Sequence, residues 1–321
     1  MRTKPDKKVL IIKLGYSETL DSVLSLTTSL GDVLRTTVIL HFFKDCHITW
    51  LVDEKALPLL EGNRHINKLL VYNSHTVFQL KKEKFDIIVN LEKVPEVCAL
   101  SDSLVADECF GFSLNGRNND IQRRSAGAKR LIELTQDLDK KRENKDCWQK
   151  VLADVLEKPW KGQEYILGHK PRSKIKYDIG FNWTTGNKWT NKAWPKDCWE
   201  GLESLIKDKY SISWQEGLNS IHEYIDWINS CRLIITADSL GLHLSLALNN
   251  KVIALFGPTS HREIYFYNRG SFLLPEAPYQ CVPCLRVHCD KEKQCMEYIF
   301  PERVKERIEN EFKRHISSRK I

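Results

Sequence analysis

The chain has 321 residues, 42% hydrophobic and 28% charged, with a net charge of +7. That is long enough for two domains with separate cores. No apolar run reaches the roughly 20 residues of a membrane-spanning helix, and no recognised nucleic-acid motif accompanies the spread of Lys and Arg, so nucleic acid is not an expected partner.

Short apolar runs alternating with helical periods predict an α/β chain. The opening Met1-Arg-Thr-Lys-Pro-Asp-Lys-Lys8 leads into a first strand, Val9 to Leu14. That run is too short for a secretory leader and lacks its cleavage pattern, so the expected location is cytoplasmic. Further strands are predicted at His47 to Val52, Lys68 to Tyr72 and Phe85 to Asn90. Helices are predicted at Gly31 to Phe43, Ala56 to Leu60, Ser74 to Lys82, about Ser125 to Asp137, and Asp146 to Leu156. Lys158-Pro-Trp-Lys-Gly162, followed by Pro171-Arg-Ser-Lys174, reads as a domain junction. The second half opens with a strand, Tyr177 to Asn182, and continues with helices from Pro195 to Lys207 and Ile221 to Cys231. A charged final helix, Pro301 to about Arg314, is expected to return to the first domain. The predicted architecture is two doubly wound, Rossmann-like domains facing a central cleft, at 1–165 and 166–300, with 301–321 as the returning helix. No Gly-x-Gly-x-x-Gly follows the first strand, which disfavours a dinucleotide dehydrogenase.

The most informative segment is Ile234-Ile-Thr-Ala-Asp-Ser-Leu-Gly-Leu-His243, followed by Val252-Ile-Ala-Leu-Phe-Gly-Pro-Thr259. It reads as strand, polar loop, helix, strand and tight turn. Asp238 and Ser239 fall at a strand's carboxyl end, and Leu240, Gly241 and His243 in the first turns of the helix, where an open parallel sheet binds anions. Upstream, Asn182-Trp-Thr-Thr-Gly-Asn-Lys-Trp-Thr-Asn-Lys-Ala-Trp-Pro195 supplies the hydroxyls of Thr184 and Thr185 and the cation of Lys192. Lys192 suits a phosphate as a mobile point charge, and the tryptophans are expected to pack between domains. In the first half, Ser29-Leu-Gly-Asp32 starts a helix after a long loop, Gly15 to Thr28. Asp32 suits the helix dipole and, facing a cleft, could act as a general base toward a hydroxyl.

Cys281, Cys284, Cys289 and Cys295 have a Cys-x2-Cys-x4-Cys-x5-Cys spacing. The alternatives are a closed structural site for zinc or iron and reduced thiols packed in a loop. Asp137-Leu-Asp139 imitates a metal-dependent sugar-transferase motif but lies at the end of a charged helix, where surface carboxylates are the reading. The basic clusters Arg123-Arg124, Lys140-Lys141-Arg142 and Lys170 to Lys176 suit anionic lipid or an acidic acceptor when taken together, and solvated surface when taken singly.

Ser29-Leu-Gly-Asp32, Lys192-Ala-Trp-Pro195, Asp238-Ser-x-x-x-His243 and Phe256-Gly-Pro-Thr259, in that order over nearly the whole chain, resemble glycosyltransferase family 9, the heptosyltransferases of the lipopolysaccharide inner core. The resemblance implies a GT-B fold, ADP-heptose as donor, a lipopolysaccharide-core or related glycan as acceptor, inversion at the anomeric carbon, and no cofactor in catalysis. With the cytoplasmic location expected from the first strand, the basic clusters add peripheral contact at the inner membrane as a further expectation. By motif position Asp32 resembles the general base. Lys192, Thr184 and Thr185 resemble the diphosphate-binding group, and Asp238 to His243 the donor loop. Three departures stand out: Leu240 sits where the family has Gly, the insert Gly15 to Thr28 is additional, and Ser211 to Ser220 is short where a strand and a nucleoside-binding acid are expected. Glu216 is the candidate for that acid. The rival readings are a GT-B transferase or epimerase using another sugar nucleotide, and a non-catalytic binding homologue.

Overall fold

The computed structural model describes residues 7–16, 26–114 and 121–318; most of the expected Gly15 to Thr28 loop lies outside them. Two compact units are present, Met1–Lys170 with Arg262–Tyr265, and Pro171–His261 with Phe266–Ile321.

The first unit is built on β1 (Lys7–Ile12), β2 (Cys46–Val52), β3 (Lys68–Val71), β4 (Lys84–Asn90), β5 (Val105–Leu114) and β6 (Ile121–Arg123). Its helices are α1 (Leu30–Thr36), α2 (Leu57–Leu60), α3 (Ser74–Leu80), α4 (Pro95–Ser103), α5 (Ala128–Gln136), α6 (Leu138–Glu143) and α7 (Trp148–Val155). The strand order is β3-β2-β1-β4-β5-β6, parallel except for β6. Val9, Leu10, Ile11 and Ile12 are completely buried, which is why the central strand reads as an unbroken apolar run rather than an alternation.

The predicted helix from Gly31 to Phe43 is instead a short α1 followed by a 3-10 turn at Thr37–Phe42. The Thr36 hydroxyl donates to Asp32 O at 2.7 Å and the Thr37 hydroxyl to Leu34 O at 2.6 Å. Such back-bonding competes with regular helix geometry. The predicted helix from Ser125 to Asp137 is likewise shorter, because the Asp137 side chain accepts from the amides of Asp139 and Lys140 and caps α6. That accounts for the Asp-x-Asp pattern without a metal. Strand β5 and helix α4 have no counterpart in the sequence reading.

The second unit is built on β7 (Tyr177–Asn182), β8 (Ile212–Trp214), β9 (Cys231–Ala237), β10 (Lys251–Leu255) and β11 (Gly270–Leu273), with α8 (Lys196–Ile206), α9 (Ile221–Asn229), α10 (Leu240–Ala247) and α11 (Pro301–Ser318). Its parallel sheet runs β11-β10-β9-β7-β8. The short Ser211 to Ser220 segment therefore does contain a strand, β8.

Helix α11, expected to return to the first domain, belongs to the second unit and packs on its core. Val304 and Ile308 are fully buried in one core cluster with Trp199, Leu202 and Ile299, and Phe312 stacks on Tyr210 at 4.8 Å. The apolar stripe of α11 finds its complement on α8, which precedes it in the same unit. Trp194 belongs to that same core rather than to a seam between domains, a second departure from the sequence reading. Its indole N–H donates to Ile299 O at 2.9 Å, and its ring lies 4.9 Å from that of Trp199.

Beyond β4, the carboxylate of Glu92 is completely buried. It accepts from Leu14 N at 2.7 Å, Gly15 N at 2.6 Å and Tyr16 N at 3.2 Å, and faces Lys13 Nζ at 3.3 Å. Removing one member of a buried ion pair is far more damaging than replacing both. Glu92→Ala should therefore lower unfolding free energy by about 3–5 kcal/mol in urea denaturation. The double variant Lys13→Met with Glu92→Gln should recover a substantial part of that loss.

Candidate active site

In a doubly wound sheet, ligands bind beyond the strand carboxyl ends where strand order reverses. In the first unit that point lies between β1 and β4. Gly15, just past β1, has φ +96°, and a Cβ there would stand 2.9 Å from Ser29 O. Its carbonyl accepts from Ser29 N at 2.9 Å, which brings the start of α1 against the end of β1. Ser29, the N-cap of α1, then donates from its hydroxyl to Asp32 Oδ2 at 2.7 Å.

The other oxygen of Asp32 takes a charge-assisted hydrogen bond from Arg35, one turn along the same helix. Both side chains are mostly enclosed, with 13% and 7% exposure. The Arg35 guanidinium also lies 5.0 Å from the centre of the Trp148 ring, and Lys141 lies 5.4 Å from that ring. Neither Arg35 nor Glu92 was singled out by sequence reasoning. The i,i+3 spacing of Asp32 and Arg35 was the available signal for the first. Nothing in the local pattern marked the second, since the partners of its carboxylate lie 76 to 79 positions away.

In the second unit the reversal lies between β7 and β9. Lys192, in a 3-10 turn at Thr190–Lys192, reaches Asp238 Oδ2 at 3.4 Å, with each side chain 17% exposed. Its ammonium also lies 5.3 Å from the centre of the Trp189 ring, a favourable cation–π position. Two residues predicted from segments 46 positions apart thus meet. Ser239, the N-cap of α10, is joined to the end of β7 by Asn182 Nδ2, which donates to its Oγ at 3.0 Å.

Gly241 sits so close to the Asn182 and Tyr224 side chains that any Cβ there would force them to shift. A Cβ there would collide with Asn182 Nδ2 and lie 2.6 Å from the Tyr224 hydroxyl oxygen. The glycine of this loop is thus needed one position later than the resemblance implies, and Leu240 is half-buried at the first helical position. His243 is buried within α10. Thr184 turns to the end of β8 instead of Lys192, donating to Gln215 Oε1 at 2.6 Å. Thr185 is half-buried, and Glu216 is exposed directly after Gln215.

The glycosyltransferase family 9 (heptosyltransferase) profile matches residues 217–295, the stretch that contains Asp238 to His243. That stretch covers about a quarter of the chain. The chain is 35% identical over 81 residues to lipooligosaccharide heptosyltransferase 2 of Campylobacter jejuni, an alignment that spans 25% of each protein. Lipopolysaccharide heptosyltransferase 1 of Campylobacter coli is 23% identical over 296 residues, covering 75% of this chain and 85% of that one. The E. coli heptosyltransferase WaaC, solved with ADP-2-deoxy-2-fluoro heptose, superposes at a TM-score of 0.60 and 16% identity, covering 95% of this chain and 99% of that one. At that identity the likeness carries the fold alone, and the fold is of the GT-B class.

The cysteine-rich segment follows β11. Cys281 is exposed, Cys284 and Cys289 are half-buried and Cys295 is buried. None of the four forms a disulfide. Among the described residues, no three His, Cys, Asp or Glu side chains are grouped closely enough to hold a metal ion. The thiols still feel one another: burial first, then Cys284, Cys289 and Cys281, push the Cys295 thiol up to about 11. Because the thiolate is the reactive form, timed labelling with a thiol reagent near pH 8 should modify Cys281 first and Cys295 last. Mass spectrometry of the labelled peptides checks that order.

Proposed function

We propose that the protein is an inverting glycosyltransferase that moves heptose from ADP-heptose to a hydroxyl of a lipopolysaccharide-core or related glycan. The observation that carries this reading is the meeting of Lys192 with Asp238 beside Ser239, at the strand-order reversal of the second sheet. That is the arrangement expected of a diphosphate clamp, and it falls on motifs shared with the family. The match to the family profile and the heptosyltransferase relatives support heptose as the transferred sugar.

On this reading Asp32 removes the proton from the acceptor hydroxyl, whose oxygen attacks the anomeric carbon as the bond to the diphosphate breaks. Ser29 and Arg35 hold the two oxygens of Asp32 in a defined orientation, so little reorganisation is needed when the acceptor arrives. Negative charge grows on the departing diphosphate. Lys192, the amide-bearing start of α10 at Leu240 and Gly241, and the Ser239 hydroxyl offset that charge. Thr184, on release from Gln215, and Thr185 would add hydroxyl donors to the same anion site. Asp238 keeps Lys192 in place before the donor binds, and His243 ties the loop to its helix. Glu216, exposed at the end of β8, is the nucleoside contact.

The same reading puts the enzyme in the cytoplasm, with peripheral contact at the inner membrane through its basic clusters. No helix among the described residues is long and apolar enough to cross a membrane. A structural metal at Cys281, Cys284, Cys289 and Cys295 is the remaining element. It rests on their spacing and would require the sulfurs to draw together from their arrangement here, so no catalytic step involves it.

Asp32→Asn should lower transfer by about a hundredfold or more while leaving ADP affinity nearly unchanged; ordinary turnover in that variant would remove Asp32 from the mechanism. Lys192→Ala should raise the ADP dissociation constant by about tenfold or more in calorimetry. Turnover of GDP- or UDP-sugars in preference to ADP-heptose would replace the donor assignment, and binding without turnover would favour a non-catalytic homologue. Elemental analysis of protein purified without chelator should find about one metal ion per chain if the thiols close on one, and none if they stay reduced and open.

A further inference from the structure

The donor loop of the second unit is anchored by a hydrogen-bonded chain whose inner members lie outside the motifs that led to the loop. Tyr224, on α9, donates its phenolic proton to Asn182 Oδ1 at 2.5 Å. The Asn182 amide nitrogen donates to Thr236 Oγ1 at 2.7 Å and to Ser239 Oγ at 3.0 Å. The Thr236 hydroxyl in turn donates to Ala237 O at 2.9 Å. Asn182 is 1% exposed and Thr236 is completely buried, so these donors have little water to turn to.

The protons along this chain give it a direction. The phenol has one proton, and it goes to Oδ1. The amide has two, and they go to Thr236 and Ser239. The Thr236 proton goes to Ala237 O. Ser239 therefore receives a hydrogen bond from behind, and its own proton is the one left to point elsewhere. With no anion present, Thr236 Oγ1, 3.1 Å away, can accept it. A phosphate oxygen at the start of α10 is a stronger acceptor.

We propose that Tyr224 and Asn182 are positioning residues that hold the amide of Asn182 with its nitrogen toward Ser239, and so fix the Ser239 hydroxyl as a donor to the diphosphate of the bound nucleotide. Gly241 completes the device, since its missing side chain lets α10 settle on the Asn182–Tyr224 pair. Burial raises the pKa of the Tyr224 phenol, which keeps it a donor across the working pH range. Without the phenolic proton, nothing distinguishes the two ends of the carboxamide. Asn182 can then turn its oxygen to Ser239, take the serine's proton, and leave only lone pairs facing the anion.

The inference rests on the proposed placement of the diphosphate beside Ser239, and a double-mutant cycle separates the two. ADP and inorganic pyrophosphate are titrated calorimetrically into the wild type, Lys192→Ala, Tyr224→Phe, Ser239→Ala and the Tyr224→Phe/Ser239→Ala pair, each checked by thermal melting. Tyr224→Phe alone should weaken both ligands by about tenfold, and should have no further effect in the Ser239→Ala background. A loop merely displaced by the lost hydroxyl would show the same loss in both backgrounds, and that result overturns the proposal. So does wild-type affinity in Tyr224→Phe when Lys192→Ala weakens binding. Failure of the wild type to bind either ligand removes the functional reading, and this inference with it. If Tyr224→Phe does not fold, Asn182→Asp serves instead. It keeps the acceptor for the phenol but has no N–H to give. Its loss should be larger with Ser239 intact than in the Ser239→Ala background; equal losses overturn the proposal.

Discussion

Where the strand order of a parallel sheet reverses, the backbone beyond two neighbouring strands runs out of ladder partners, and buried polar side chains must take over. Each sheet of this protein meets that constraint with one residue at the end of a central strand. After β4, Glu92 accepts three consecutive amides from the segment leaving β1. At the end of β7, Asn182 spans to Thr236 and Ser239 at the end of β9. A buried carboxylate or carboxamide is costly unless every contact is made, so these two residues hold their loops in one arrangement. The groups assigned to chemistry sit on those loops: Ser29 and Asp32 follow from the Gly15 turn, and Ser239 follows from Asn182.

The charged residues at both reversals already have opposite charges beside them. Asp32 has Arg35, and Lys192 has Asp238. On the proposed reading, substrate binding exchanges one set of partners for another instead of meeting isolated charges. An exchange of this kind keeps partly buried side chains ordered before the ligand arrives, which reduces the conformational entropy lost on binding. Lys192 is steadied further by the face of Trp189.

Much of the architecture was legible in linear form. The apolar run Val9 to Ile12 announces a buried parallel strand, and the segments predicted at Val9 to Leu14 and Tyr177 to Asn182 are both strands at nearly the predicted bounds. Elements whose signals are non-local were missed. Strand β5 has most of its first half exposed, and its alternation of Phe110, Phe112 and Leu114 is confined to the second half. Helix α11 was assigned to the wrong unit because an amphipathic stripe says that a helix packs, not on what.

The grouping of Lys192, Asp238 and Ser239 was proposed from residue type and local position, since Asp238 and Ser239 directly follow β9 and Lys192 precedes α8. What sequence alone determined was thus the alternation of strands and helices, and the polar residues at strand ends and helix starts. Both follow from periodicity and short-range backbone geometry. Only the tertiary structure decided that Glu92 supports the Gly15 turn, that Arg35 and Ser29 hold Asp32, and that Tyr224 reaches Asn182. Those contacts depend on which strands become neighbours, and on side chains that burial compels to find partners far away in the chain.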